Sequence, residues 1–600
     1  MLLAFPLLLP LGIFVPGFLI AKGLRHSLWW ASAFPVSLLV LFHSIFWLGI
    51  FHIPITVWTV LPCLLAASAA AAWFGRKSAL PARLKAAPWT IAERILLASS
   101  GVVSAALAAR CAISPSIGPD TPFRWDFLAQ KLLALGRFDF YPPLTPADFR
   151  TYFYVDGIPP LVSFTNWWFY ASAGRHLPGL ISLFAAAQFV CTLAFAYGTA
   201  AAIFSRRAGV LAAAILAACP LYFRAVVLEQ ETGLTALAIA AMLYFIVTAR
   251  EGDDVRAMVS AGLSAALCAL AREYGWIALI AGIVALLWRR QPLKQMLVFA
   301  GVAVAAAAPW YVRNWLFAGN PFYSLRFGDF AVNPVHDGIM QHYKSVLGVG
   351  QWGAGTWTSL VGLLLLFATL QVLAGIPGGL TRFRQNGYLA ATALLLAAVW
   401  LQSAGYTSAG IETSTRVLSP ALVVLSITAA GLLASWASRA NRLMAVAAVI
   451  VAFQVWTAAG GMVYPNDPLS LPVAQWPRAA LQRTPEPAEF QIGEQLAPKF
   501  PVGYRLLSDN AYLHAALVDK GIEVVPVWSP EVNFLFHASA EESERRLVAL
   551  RIVSVAYYPQ SLNSGYLAFA SPFYASLTRR WRVWLEVPNF MYVLVPQGAS

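Results

Sequence analysis

The chain reads as an α-helical multi-pass membrane protein of about 12 to 14 spans, closed by a C-terminal soluble α/β domain. Three observations predict this. First, 59% of the 600 residues are hydrophobic, only 11% are charged and the mean hydropathy is +0.66, whereas soluble domains carry charge on roughly a quarter of their residues. Second, apolar runs near the ~20 residues that cross a bilayer recur over the first 460 positions, among them Ile95 to Ile113, Leu234 to Ala249, Ser359 to Ile376 and Met444 to Gly461. Third, hydropathy falls from 463 onward, where Pro465, Pro468, Pro472 and Pro477 mark a stiff linker.

Three zones follow. Residues 1–90 hold three hydrophobic helices with almost no acids; 91–462 form a membrane core whose external loops, 114–158 and 312–357, carry acids and aromatics; 463–600 form the α/β domain. Met1 to Ala21 has no basic n-region and no small-residue cleavage site, so it reads as a retained helix. The net charge of +14 would suit nucleic acid if it were gathered on one soluble face, but it is not. The basic residues lie in short breaks between apolar runs: Lys22 and Arg25; Arg76, Lys77, Arg83 and Lys85; Arg206 and Arg207; Arg250 and Arg256; Arg289, Arg290 and Lys294; Arg382 and Arg384; Arg439 and Arg442. The positive-inside rule puts those breaks in the cytoplasm and the two long loops and C-terminal domain outside.

The tail alternates strand and helix patterns: strands at Tyr504 to Ser508, Glu523 to Val527 and Ile552 to Tyr557, helices at Ala511 to Val518, Ala540 to Ala549 and Tyr566 to Leu577, and a hairpin from Trp581 to Val595. Such alternation predicts a partly parallel sheet. No GxGxxG turn or P-loop is present, and a structural or acceptor-recognition role suits the domain better than a catalytic one. The eight histidines show no ligand spacing, so no zinc site is expected. The five cysteines sit in or beside apolar runs, as packing residues do.

The first external loop holds the densest set of polar groups beside the membrane: Asp120, Arg124, Asp126, Lys131, Asp139, Asp148, Arg150 and Asp156. From Asp120 to Gly136 the pattern predicts an amphipathic interfacial helix with Asp120 as its N-cap. Asp120 and Asp126 are six apart, which puts them off the shared face that i, i+4 residues have. On spacing alone, Asp120 reads as a cap and Asp126 as part of a solvated face.

Here the sequence resembles the GT-C class of membrane glycosyltransferases, which use polyprenyl-phosphate sugars and include protein mannosyltransferases and aminoarabinose transferases. The segments that carry the resemblance are Asp120 to Gly136, Tyr141-Pro-Pro, Asp156-Gly-Ile-Pro-Pro-Leu161, Leu228-Glu-Gln-Glu-Thr-Gly233, Ala308-Pro-Trp-Tyr-Val-Arg-Asn-Trp-Leu-Phe-Ala-Gly-Asn-Pro321 and Thr415-Arg-Val-Leu-Ser-Pro-Ala421. They span about 91 to 440 in the order of that class. Two features depart from it: Thr121 stands where many members carry a second acid, and three helices precede the usual first one.

The resemblance implies sugar transfer from a polyprenyl-phosphate donor to a glycan, lipid or protein acceptor on the periplasmic face of a bacterial inner membrane. Membrane lipids are the surroundings, and nucleic acid has no part. The reaction needs a base for the acceptor hydroxyl and cations for the departing phosphate. Asp120 matches the acid of the class and is the expected base, with partial desolvation expected to raise its pKa; Asp126 and Glu231 are second choices. Arg416 and Arg313 stand at external helix ends, against the positive-inside trend, and are expected on the lipid phosphate. Arg124, Asp156 and, more weakly, Arg272 complete the expected substrate contacts; Arg272 can instead neutralise its neighbour Glu273. No cofactor is expected, and a divalent ion has no ligand set to support it. The competing readings are a carrier or flippase for a lipid-linked glycan, which needs charges lining the spans, and a non-catalytic envelope assembly protein.

Overall fold

A computed structural model describes residues 5–76, 88–115, 118, 120–250, 254–381, 383–407, 410–459, 475–481, 488–588 and 590–597. Lys77, Arg83, Lys85, Arg382, Pro465, Pro468 and Pro472 lie outside them. Among the described residues, ten helices are long and apolar enough to cross a membrane, from Phe5–Gly23 to Ala440–Ala458. Two bent pairs bring the number to twelve: Arg206–Ala217 with Pro220–Val227, bent by 64°, and Ala354–Phe367 with Gln371–Leu380, bent by 93°. Two shorter apolar helices, Val255–Ala271 and Glu273–Trp288, meet at Arg272; without them the described residues reach the lower end of the expected range. The first bend falls where Pro220 starts a new helix and has no N–H for the old one.

The basic breaks gather at one end of the helices. Arg206 donates to the Pro88 carbonyl at 3.2 Å, and Arg207 to the Ala437 carbonyl at 3.0 Å. Arg289 donates to the Val247 carbonyl at 3.3 Å, and Trp288 to the Arg384 carbonyl at 3.2 Å. Glu93 closes a capping box with Thr90 and pairs with Arg206 at 3.3 Å, so its charge is neutralised where it is buried.

The C-terminal domain carries a five-stranded sheet in the order β2-β1-β3-β5-β4, with β1 Arg505–Ser508, β2 Glu523–Pro526, β3 Ile552–Tyr557, β4 Trp581–Val587 and β5 Met591–Pro596. β1 runs parallel to β2 and β3, and β5 runs antiparallel to β3 and β4, which is the partly parallel sheet expected. The single helix expected from Tyr566 to Leu577 is two, Leu562–Ala570 and Pro572–Arg580. Pro572 cannot continue the first, and Ser571 caps the second by accepting from Tyr574 N.

The domain shares one apolar core with the loops at 114–158 and 312–357. Phe149, Phe153 and Val155 of the first and Val335, Ile339 and Tyr343 of the second pack with the strands. Trp528 seals the junction: it donates to the Phe153 carbonyl at 2.8 Å and meets Phe153 and Tyr154 edge-on.

Candidate active site

The end of the helices opposite the basic breaks collects the expected polar residues, and local packing dictates how. Gly118 lies against the turn before the helix Glu231–Thr248, where a Cβ would come within 2.5 Å of Gln230 Nε2 and the Leu228 carbonyl; only glycine allows that approach. Thr121 fastens the same contact, donating to the Leu228 carbonyl at 3.3 Å and accepting from Gln230 at 3.1 Å. The Asp120 loop is thus tied to the helix that Glu231 begins. Ser419, three residues after Arg416, donates to the Thr232 carbonyl at 2.8 Å and brings the third segment in.

Between these segments runs a chain of ion pairs. Arg416 donates to Asp120 Oδ2 at 2.8 Å; Arg124 reaches the same oxygen at 3.4 Å and donates through Nε to Asp156 at 2.6 Å. Asp156, 2% exposed, also accepts from Tyr141 at 2.6 Å and from Tyr152 at 3.1 Å. Burial and then the Asp156 charge push both phenols well above their ordinary range, so they remain donors. A second chain lies within electrostatic range of the first, with Arg272 bridging Glu231 at 3.3 Å and Glu273 at 3.2 Å. Arg272 therefore joins the site and does more than neutralise Glu273. Four carboxylates and three guanidiniums meet here.

Asp120 does not cap the helix with its side chain; the carboxylate turns to Arg416. A π-helical turn, Thr121–Trp125, precedes the regular helix Asp126–Leu135. That helix packs against the rest of the molecule through Phe127, Leu128, Ala129 and Leu132, while Leu135 at its end stays exposed. The expected rise in the Asp120 pKa is also reversed. Burial alone would raise it, but the charges of Arg416, Arg124 and Arg272 outweigh burial and hold the carboxyl below its ordinary range.

Asp126 is 4% exposed, so it is not part of a solvated face. It accepts from Tyr170, from Gln130 at 2.8 Å and from His176 at 3.1 Å, a separate set that shares no ion pair with Asp120. Arg313 also stands apart from Arg416. Its guanidinium lies 5.0 Å from the Phe138 ring, 5.2 Å from Trp310 and 5.0 Å from Phe317. Its motif neighbours are scaffold: Trp310 and Asn314 both donate to the Gly157 carbonyl at 2.9 Å, fixing the residue that follows Asp156.

Several buried polar atoms at the ion network have no hydrogen-bond partner among the described residues: Arg416 Nη1, Glu231 Oε2, Trp125 Nε1 and Tyr274 OH. Trp125 lies under Arg272 at 5.9 Å, and Tyr274 feels Glu231, Arg272 and Arg416. Sequence reasoning missed Trp125, Tyr152 and Tyr274 and treated Tyr141 only as part of a motif; no spacing signal sets them apart. Among the described residues, no three His, Cys, Asp or Glu side chains group as a metal site.

Placed beside known proteins, the chain has a GT-C-like fold. The family described as dolichyl-phosphate-mannose-protein mannosyltransferase matches residues 158–312, a stretch that includes Glu231 and Arg272 and stops one residue short of Arg313. The fold is similar to ArnT from Cupriavidus metallidurans in the apo state, at 15% identity, with 84% of this chain and 98% of that chain covered and a TM-score of 0.53. The same protein bound to undecaprenyl phosphate gives 14% identity, 83% and 97% coverage and a TM-score of 0.49. The archaeal oligosaccharyltransferase AglB from Archaeoglobus fulgidus, in complex with an inhibitory peptide and a dolichol-phosphate, gives 13% identity, 83% and 74% coverage and a TM-score of 0.49. No curated protein matches the sequence.

Proposed function

We propose that the chain transfers a sugar from a polyprenyl-phosphate donor to an acceptor hydroxyl at the periplasmic face of a bacterial inner membrane, in the ion network around Asp120. One observation carries this reading. Arg416 holds Asp120 through one nitrogen while its buried Nη1 has no partner among the described residues, and a planar guanidinium so placed suits two phosphate oxygens. Similarity to a mannosyltransferase family and to the ArnT fold supports the same chemistry.

The donor phosphate enters beside Arg416 and Arg272 and competes with Asp120 and Glu231 for them. As Arg416 turns to the phosphate, Asp120 loses the charge that suppresses its basicity, and its proton affinity rises when the acceptor hydroxyl needs it. The acceptor oxygen then forms a bond to the anomeric carbon, its proton passes to Asp120, and the carbon–oxygen bond to phosphate breaks with its electron pair leaving on the phosphate. Arg416 and Arg272 stabilise that charge. Glu231, with Oε2 unpartnered among the described residues, is the second choice of base. Asp156, held by Tyr141 and Tyr152, fixes Arg124 beside Asp120.

The test is turnover of radiolabelled polyprenyl-phosphate hexoses and pentoses by the protein in nanodiscs. Release of polyprenyl phosphate by the natural sequence, slowed roughly 10²- to 10⁴-fold in Asp120→Asn, is the expected result. No turnover of any donor, or equal turnover by Asp120→Asn and Glu231→Gln, overturns the reading.

A further inference from the structure

The described spans enclose an apolar groove away from the ion network. Its volume is about 520 Å³, within the ~300 to 1,000 Å³ usual for ligand sites. One wall is a stripe along the helix Trp29–Ile50 and the residue after it. Lining residues recur there every three or four positions, from Val36 through Val40, His43 and Trp47 to Phe51, which is the spacing of a single helix face. At ~1.5 Å per residue the stripe is about 22 Å long.

The facing walls include Ala67 from the span Val57–Gly75 and Ala306 from the span Leu293–Ala318. No Asp, Glu, Lys or Arg lines the groove, and Ser44 turns its hydroxyl back to the Val40 carbonyl at 2.8 Å. Among membrane spans, a groove with such walls offers nothing to water and takes hydrocarbon.

A cation stands above it. Ala306 and Arg313 are two turns apart on one face of the helix Leu293–Ala318, with Arg313 about 10 Å nearer the end that carries the ion network. Phe138 joins the two regions. Its ring seats on Gly49, where a Cβ would come within 2.0 Å of it, next to the lining residue Leu48, and the same ring lies 5.0 Å from the Arg313 guanidinium.

Arg313 is 6% exposed, and its buried Nη1 has no hydrogen-bond partner among the described residues. The rings around it offset part of the cost of burying a cation, but they give its nitrogens no acceptor. Phe317, one of those rings, is 61% exposed, so the guanidinium lies one side chain from the outer surface of the molecule. An anion at that rim completes the guanidinium, and hydrocarbon attached to the anion has the groove below it. A phospholipid has both parts.

We propose that the groove binds an anionic phospholipid, with one acyl chain lying along Trp29–Ile50 and the phosphate held by Arg313. The lipid ties the first helices of the chain to the span Leu293–Ala318. It is distinct from the sugar donor. Trp310, beside Arg313 at 5.2 Å, stacks on Tyr141 at 5.9 Å, and Tyr141 donates to Asp156 at 2.6 Å, so two aromatic side chains stand between Arg313 and the ion network.

The test is native mass spectrometry of the full chain released from nanodiscs that hold phosphatidylglycerol and phosphatidylethanolamine in equal amounts. The natural sequence should retain phosphatidylglycerol preferentially, and Arg313→Gln should weaken that retention by roughly tenfold. Ala306→Phe, which fills the groove and leaves the charge in place, should weaken it similarly, with a melting temperature in detergent near that of the natural sequence. Retention of undecaprenyl phosphate should be unchanged in both variants. Equal retention of the two phospholipids, or phosphatidylglycerol retention that survives both substitutions, overturns the inference. Loss of undecaprenyl phosphate in Arg313→Gln as large as the loss of phosphatidylglycerol assigns Arg313 to the donor and overturns it as well.

Discussion

Asp120 and Asp126 are six residues apart in one loop, and their surroundings differ in kind. Asp126 is closed: a tyrosine, a glutamine and a histidine donate to it. Asp120 is open: two arginines share one of its oxygens, and the nearer one keeps a nitrogen unpartnered among the described residues. A buried acid whose partners are satisfied fixes structure, whereas an acid whose partners are left wanting is equipped to exchange them for a ligand. On this difference rests the proposal that Asp120 takes part in the chemistry and Asp126 in the architecture, and each part can be broken separately.

The largest expected effect is at the phosphate grip. Arg416→Ala should lower donor turnover by about 10²- to 10³-fold, the usual worth of one group stabilising developing charge. Arg439→Ala, an exposed residue at the basic end, should leave turnover unchanged in the same assay. Equal losses in the two variants would remove the contrast between the two ends of the molecule.

The next effect is on stability and belongs to the closed acid. Asp126→Ala strips Tyr170, Gln130 and His176 of their acceptor and should destabilise the fold by about 1 to 3 kcal/mol, read by thermal unfolding in detergent. Turnover per folded molecule should stay near that of the natural sequence. A collapse of turnover in a variant that remains folded would move Asp126 into the chemistry.

The smallest effect is the pH dependence of stability. The folded-state pKa of Asp120 lies below its ordinary value, the burial effect being outweighed by Arg416, Arg124 and Arg272. The unfolded chain therefore binds the proton more readily, and the stabilisation is present above the ordinary carboxyl pKa and lost as pH falls through the folded one. Asp120→Asn should flatten the unfolding curve below about pH 4. Asp509 has the opposite sign. With its pKa raised by burial to about 6, its contribution is present below the ordinary carboxyl value and lost as pH rises toward 6, so Asp509→Asn should remove a decline in stability over that interval.

Much of this was legible in the sequence, and the reasons are physical. Apolar runs marked most of the spans and all five strand positions, because burial imposes the pattern residue by residue; the run Ser359 to Ile376, expected as one span, is instead two helices bent by 93°. Spacing already separated Asp120 from Asp126. What spacing does not carry is which residue, hundreds of positions away, meets a given side chain. The Asp120 carboxylate looked like a helix cap because its real partner, Arg416, is 296 residues distant. Arg313 and Arg416 looked alike as external cations, yet one sits among three rings and the other on a carboxylate. The bends at Pro220 and Ser571 were written in local residues; the sign of the Asp120 shift was not, since it depends on three arginines brought in from separate segments.

The central claim is that the ion network around Asp120 grips a lipid-borne phosphate, and binding of undecaprenyl phosphate to the purified chain tests it most directly. Native mass spectrometry from nanodiscs should find the lipid retained by the natural sequence and by Asp126→Asn, and weakened by roughly tenfold or more in Arg416→Ala and Arg272→Ala. Equal retention by all four proteins would contradict the account.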